Sequence, residues 1–317
     1  MKFLKYLYGP VPSRRLGRSL GIDLVPHKIC TYDCIYCQIG ATTQKTLVRK
    51  EYVPSGDVIE EVDRFLREET SSVDYLSLSG SGEPTLNSQI RKVIEGVKKI
   101  TSIPIAVITN GSLFYLEEVR HDLIEADVIL PSLDAVSSDA FLKINRPEAG
   151  LSAERIIEGL EKFRRIYKGK IWLEILFCKG VNDSQDELNR MKEAVERIEP
   201  DQIHLNTVVR PPSERRATPL SRKELEKIQA FFGERAVIIT EFDRHPLALA
   251  EKNIKEEVLN ILRRRPLSLD DLSKGMGMQQ EELKRYLGTL MKEGTIQARK
   301  LGDSVFYEIS NHRAQSC

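Results

Sequence analysis

Residues Leu20 to Cys37 read Leu-Gly-Ile-Asp-Leu-Val-Pro-His-Lys-Ile-Cys-Thr-Tyr-Asp-Cys-Ile-Tyr-Cys, an apolar run at Leu20–Val25 followed by three closely spaced cysteines, Cys30, Cys34 and Cys37. A strand that hands clustered thiols to its carboxyl end puts them where parallel α/β sheets collect ligands. Three thiolates can hold three corners of an iron–sulfur cubane and leave the fourth iron open, whereas electron-carrying clusters take four. Zinc is the alternative, but a structural zinc wants four ligands, usually from paired Cys-x2-Cys modules, and the chain has no second pair. Redox-active thiols also stay open on spacing alone. Cys178 and Cys317 are isolated.

Outward from this segment the same texture repeats. Short β-branched runs at Leu20–Val25, Val73–Leu78, Ile105–Thr109, Val128–Leu133, Ile171–Phe177 and Ile203–Val208 alternate with amphipathic stretches at Val58–Glu69, Gln89–Ile100, Tyr115–Ala126, Ala153–Tyr167 and Ser184–Arg197. Alternating β-α units predict a parallel sheet. Six are too few for the eight-fold barrel, so the expected fold class is α/β, a partial, open (β/α)6 TIM-like barrel. After Pro211-Pro212 come a charged helix, Ser221–Phe232, the apolar Ala236–Thr240 and a linker containing Arg244-His245-Pro246.

A different pattern starts near Asn253. Ile254, Val258, Ile261 and Leu262 mark one helix, Leu269 and Leu272 a second behind a Ser268 N-cap, and Leu283, Leu287 and Leu290 a third. Thr295–Lys300 and Ser304–Ile309 then flank a Gly302-Asp303 turn. Three helices and a β-wing look like a small winged helix-turn-helix module, which divides the chain into residues 1–245 and 246–317.

With 48 Lys and Arg against 47 Asp and Glu, the formal charge is +1, so no global field draws the protein to nucleic acid or anionic membrane. The C-terminal stretch from Asn253 carries 11 basic against 9 acidic residues, and the helix Gln279–Glu293 balances Lys284, Arg285 and Lys292 with Glu281, Glu282 and Glu293. Arg263-Arg264-Arg265 reads as a solvated face. No apolar run is long enough to span a bilayer, the start Met1–Pro12 lacks the features of a signal peptide, and five cysteines make no paired framework. The expected location is cytoplasmic, with no membrane partner.

The Cys-x3-Cys-x2-Cys spacing, with Tyr36 directly before the last cysteine, resembles the motif of the radical S-adenosylmethionine (SAM) superfamily. Ser79-Gly80-Ser81-Gly82-Glu83-Pro84 is similar to that family's glycine-glycine-glutamate-proline segment, with Ser81 standing in place of the first of the two glycines. Thr109-Asn110-Gly111-Ser112 and Ser132-Leu133-Asp134 follow at later strand ends. The resemblance covers residues 18 to 210. It implies a [4Fe-4S] cluster on Cys30, Cys34 and Cys37, whose open iron is chelated by SAM. It further implies SAM contacts from Tyr36, Gly80, Gly82, Glu83, Thr109, Asn110, Ser132 and Asp134, with the loop Lys179–Asp183 over the methionine end.

The implied reaction is reductive cleavage of SAM to a 5′-deoxyadenosyl radical that abstracts hydrogen from an RNA or a protein/peptide, as an oxidoreductase or a transferase. A flavodoxin or ferredoxin would supply the electron. The Gly21-Ile22-Asp23 approach and the Gly-Ser-Gly-Glu-Pro form resemble the branch containing the tRNA wyosine-base synthases, yet no cysteine precedes Cys30 to build the second cluster of those enzymes. Arg14, Arg15 and Arg18, and Arg210 beyond the sixth strand, are candidates for holding an anionic substrate. Cys178 is a candidate hydrogen-atom donor or an inert buried thiol. Two other functions fit the same motif: an activase that makes a glycyl radical on a partner protein, and an iron–sulfur redox-sensing transcription regulator.

Overall fold

The computed structural model describes residues 4–68, 73–239, 254–263, 265–276, 278–302 and 304–310. Strand β1 (Leu7–Ser13) forms a hairpin with β2 (Gly17–Ile22), and six further strands then add in parallel, each beside the last. They are β3 (Tyr75–Leu78), β4 (Ile105–Thr109), β5 (Val128–Pro131), β6 (Lys170–Phe177), β7 (Gln202–Thr207) and β8 (Ala236–Ile238). Between the parallel strands lie α1 (Ser55–Glu68), α2 (Ile90–Lys98), α3 (Glu117–Asp122), α4 (Ser138–Ile144), α5 (Ala153–Ile166), α6 (Gln185–Ile198) and α7 (Arg222–Phe232). The hydrogen-bonded order runs from β1 to β8 without closing, an open barrel.

Side-chain alternation along the strands sorts the two faces. Ile171, Leu173, Ile175 and Phe177 of β6 join the core beneath the helices, with Ile203 and Leu205 of β7. Trp172, Glu174, His204 and Asn206 occupy alternate positions and line the interior. There Ser19 donates to Ser77 at 2.8 Å and Asn206 donates to Glu174 at 2.8 Å. One end is plugged by Leu16, Ala106, Val128 and Leu130. An interior filled for stability would be apolar throughout, so the polar half marks the end at which ligands meet the barrel.

The helices pack as their sequences direct. Ser152 caps α5, and Ile156, Leu160 and Phe163 face inward, with Phe163 stacked on Tyr167 at 4.5 Å. Gly159 lets this helix lie against the chain at Phe114, where a Cβ would fall 2.4 Å from the Phe114 carbonyl carbon.

The strand over Ile105–Thr109 is as expected, and the other parallel strands agree within a few residues. Three features differ from expectation. Ala236–Ile238 pairs in parallel with β7, giving seven parallel strands where six were expected. Strand β1 was not among the expected strands; it is an edge strand with a register shift between Tyr8 and Val11, where prolines such as Pro10 are tolerated. Helix α4, of seven residues, is too short to show a periodic stripe.

The C-terminal segment forms α8 (Ile254–Leu262), β9 (Leu267–Ser268), α9 (Leu269–Met276), α10 (Gln280–Lys292) and the hairpin β10 (Ile296–Leu301) and β11 (Ser304–Ile309). Its three strands pair antiparallel in the order β9–β11–β10. Ser268 accepts the Asp271 N–H at 3.0 Å, the expected cap. Gly302 takes φ 59°, while Asp303, the linker at Arg244–Pro246, Arg264 and Cys317 lie outside the described residues.

Tyr8 and Val11 of β1 are buried in the same cluster as Val258, Leu272, Leu283 and Leu287, and Arg299 donates to the Pro212 carbonyl at 3.3 Å. The module therefore sits on the edge strand and on the loop that follows β7. Among the described residues no helix is long and apolar enough to cross a membrane.

Val11→Asp would bury an uncompensated carboxylate at that contact. Hydrogen exchange should then speed up in α8 and α9 while β3–β7 keep their protection; uniform protection throughout would show that the contact carries no weight.

Candidate active site

The cysteine loop is held from three sides. Lys28 N–H donates to the Ser81 carbonyl at 2.6 Å and Glu83 N–H to the Ile29 carbonyl at 3.1 Å. Asp33 and Ile35 N–H donate to the carbonyls of Asn145 and Ile144, each at 3.0 Å. Ser213 Oγ donates to the carbonyls of Cys34 and Ile35, at 2.9 and 2.8 Å. These contacts come from the loops after β3, α4 and β7.

Each sulfur faces a different nitrogen donor. Asn110 Nδ2 lies 3.5 Å from Cys30 Sγ, Asn145 Nδ2 3.4 Å from Cys34 Sγ, and Lys28 Nζ 3.1 Å from Cys37 Sγ. Burial pushes the Cys30 thiol up to about 12, with the nearby Glu83 charge adding to it, and burial and then Asp134 push Cys34 well above its usual range. Bare thiols so placed keep their protons at neutral pH, and a bound metal is what makes them thiolates. The three donors then act as outer partners that stabilise charge on sulfur. Among the described residues no three Cys, His, Asp or Glu side chains are arranged to share a single ion.

The acidic loop is built by close approach. A Cβ on Gly82 would fall 1.9 Å from the Ile29 carbonyl oxygen, and Gly80, at φ +125°, abuts Asp23. Ser81 does not disturb the loop, because its N–H and hydroxyl both bond the buried Asp23 carboxylate. Glu83, 1% exposed, accepts from Thr85 N, Thr85 Oγ1 and Thr109 Oγ1 on Oε1, and from Asn110 N on Oε2 at 2.7 Å. Burial raises its pKa against the pull of these donors. It ties the loop after β3 to the end of β4 and keeps acceptor capacity on Oε2.

Asp134 binds the Tyr36 hydroxyl, the Leu176 N–H at 2.9 Å and Asn145 Nδ2 at 2.7 Å. It positions Tyr36 and the Cys34 donor together. Ser132, just beyond β5, is half-buried and donates its N–H to the Thr109 carbonyl. Asn182 anchors the Lys179–Asp183 loop, donating to the carbonyls of Asp134 and Leu176. Cys178 is fully buried and belongs to the core under the helices, the position of an inert thiol.

Beside this group lies a cavity of about 200 Å³ whose walls include Arg14, Arg15, Arg210, Tyr36 and Cys37, together with Arg265 of the C-terminal module. Arg18 is not among its lining residues; the alternation of β2 sets it on the face opposite Ser19, and its N–H bonds Asp74 at 2.7 Å. Reading Arg263–Arg265 as a solvated run also needs correction at Arg265. Lys28 and Asn145 carried no sequence signal for their roles, and the Gly21-Ile22-Asp23 approach gave none for the bond of Asp23 to Ser81, since these partners are set by loop packing across the fold.

Residues 24–191 match the Radical SAM superfamily. A UPF0026 protein of Methanocaldococcus jannaschii is 33% identical over 306 residues, covering 95% of this chain and 94% of that one. A Brachyspira hyodysenteriae protein named GTPase Obg is 35% identical over 309 residues, 96% of this chain but 45% of its own length, so this chain spans less than half of it. Among solved structures, TYW1 with a lysine–pyruvate adduct bound superposes with TM-score 0.51 at 17% identity, over 72% of this chain and 76% of that one. A radical SAM methyltransferase from Sphaerobacter thermophilus does so with TM-score 0.52 at 16% identity, over 69% and 65%. Both share the fold. The cofactors of the superfamily are a [4Fe-4S] cluster and SAM. The residues here fit them, with three free thiols, a donor for each sulfur and a buried carboxylate beside them.

Gly82→Ala should cut iron incorporation severely while far-ultraviolet circular dichroism stays native, because the added carbon meets backbone; normal iron content would contradict the packing described. Lys28→Met removes a charged donor to Cys37. The cluster potential should fall by on the order of 60 mV, the one-electron equivalent of about 1.4 kcal/mol; an unchanged redox titration would contradict the contact.

Proposed function

The chain belongs to the radical SAM superfamily, and we propose that it modifies a macromolecule, an RNA or a protein/peptide, by hydrogen abstraction. It is an enzyme of that class, and the reaction needs a reductant and a substrate. When bound, the cluster would pass one electron to SAM and break a sulfonium C–S bond, giving methionine and a 5′-deoxyadenosyl radical that takes a hydrogen atom from substrate. The observation that supports this reading best is the convergence of Cys30, Cys34 and Cys37 beside Glu83 at one barrel end, each sulfur with its own donor.

In this reading Cys30, Cys34 and Cys37 ligate the cluster. Glu83 Oε2 takes the methionine ammonium, while the backbone at Gly80 and Gly82 permits close approach. Tyr36, held by Asp134, borders the adenine. Thr109, Asn110 and Ser132 face the ribose and carboxylate. The Lys179–Asp183 loop covers the methionine end, and a flavodoxin or ferredoxin supplies the electron.

We place the chain beside the wyosine-base synthase branch, because Asp23 of its Gly-Ile-Asp approach is the partner of Ser81 in the acidic loop. Residues 246–317 are read as a winged helix-turn-helix domain and 1–245 as the catalytic domain. The order of three helices with a three-stranded antiparallel sheet supports the former. On α10, Lys284 is paired with Glu281, and Lys255 of α8 reaches Glu293, which leaves this face poorly suited to a phosphate backbone. In this reading the module serves the enzyme and not an operator.

Anaerobically reconstituted protein with dithionite should convert SAM to 5′-deoxyadenosine, and Cys34→Ala should lower that rate by at least about 100-fold, as loss of a unit that acts as a whole does. A holoenzyme with full iron that leaves SAM intact would overturn the reading.

A further inference from the structure

Four arginines from three parts of the chain border one small cavity. Arg14 and Arg15 come from the turn after β1, Arg210 from the loop after β7, and Arg265 from the segment between α8 and β9. Arg14 Nη1 donates to Asn206 Oδ1 at 3.0 Å and to the Ile239 carbonyl at 3.1 Å, so it reaches from the β1 side of the open barrel to the opposite edge. Arg15 is ion-paired with Glu174, itself held by Asn206. Arg210, 5% exposed, donates to Gln38 at 3.3 Å. The guanidinium groups of Arg14, Arg15 and Arg210 are fixed by the fold before any ligand arrives.

They also crowd one another. Burial, then Arg265, lowers Arg14 to about 10; burial, then Arg14 and Arg265, lowers Arg15 to about 9; Arg210 and Arg265 are lowered as well, chiefly by burial. Glu174 on the wall and Asp271 of α9 offset part of this charge. Gathering four such groups works against stability, and a multiply charged oxyanion is what relieves it. Planar guanidinium forks match phosphate oxygens two at a time. The cavity is also smaller than the roughly 300 to 1,000 Å³ of pockets that take whole drug-sized ligands, so it suits one phosphorylated group.

Its position fits a substrate. Tyr36 and Cys37 form part of the wall, whereas Glu83, Thr109, Asn110, Ser132 and Asp134 do not line it. The cavity therefore lies next to the cofactor residues without being made of them.

We propose that this cavity binds the phosphate of a phosphorylated substrate, and that Arg265 makes the C-terminal module a wall of the active site. The phosphate has the same chemistry whether it belongs to a nucleotide or to another phosphate ester. That the site serves substrate rests on the enzymatic reading above; that it binds phosphate does not.

The test is calorimetric titration of the full-length holoenzyme, held anaerobically, with inorganic phosphate, pyrophosphate and malonate, each with and without SAM. Phosphate or pyrophosphate should bind, malonate at least about tenfold more weakly, and SAM should not displace them. Arg265→Gln and Arg210→Gln should each weaken binding by about tenfold or more, the scale of one charge-assisted hydrogen bond. Arg265→Lys should fall between, since it keeps charge without the fork. Arg285→Gln, on the exposed face of α10, should change nothing.

Absence of phosphate binding, insensitivity to both Arg265→Gln and Arg210→Gln, preference for malonate, or displacement by SAM would each overturn the proposal. AMP and glycerol phosphate in further titrations separate nucleotide from other esters. Intact phosphate binding in a protein that never cleaves SAM would instead defeat the enzymatic reading and leave the anion site standing.

Discussion

Three sulfur atoms that must bear negative charge to hold the proposed cluster sit half-buried at one end of a barrel, and much of the local structure answers that constraint. Left to themselves the Cys30 and Cys34 thiols resist ionisation, because burial and the neighbouring carboxylates Glu83 and Asp134 disfavour a further negative charge. Metal cations reverse that preference. The protein adds Lys28, Asn110 and Asn145, one donor per sulfur, each delivered by a different stretch of chain. The carboxylates are in turn held by hydrogen bonds from β4, β6 and Tyr36, so they act as joints between loops. Cysteine loop, acidic loop and strand ends form one connected polar network, in which a half-satisfied member would cost more than its absence.

The open barrel explains why that network can work on a substrate. A closed ring of strands would be filled by side chains, whereas here β1 and β8 remain edges and the interior beside them is polar. Arg14 reaches from one side to the other, and the C-terminal module packs on β1 through Tyr8 and Val11. Edge strands need covering. Covering this one with a folded module also brings Arg265 to the cavity beside Cys37.

Much of this architecture was legible in the sequence, for identifiable reasons. The six expected parallel strands stand out because fully buried strands are continuous apolar runs, and Ile105–Thr109 is the plainest case. The cysteine and acidic motifs are local, so their residues could be named before their neighbours were known. What escaped were long-range pairings: Asn145 with Cys34, Asp23 with Ser81, and Glu174 with Arg15 join residues far apart in the chain. Arg265 was hidden by its basic neighbours, and β1 by its prolines. Glu83 and Asp134 were read as ligand contacts from motif position alone; their structural work as hydrogen-bond hubs has no linear signature.

The account turns on an iron corner left open by three cysteines and taken by SAM. Electron–nuclear double resonance of the reduced holoenzyme with SAM labelled at its methionine nitrogen and carboxylate oxygen measures this directly. Coupling of both labels to the cluster spin is the predicted result. A cubane whose spectrum shows no coupling to either label, or protein that binds zinc and no iron when prepared without air, would contradict it.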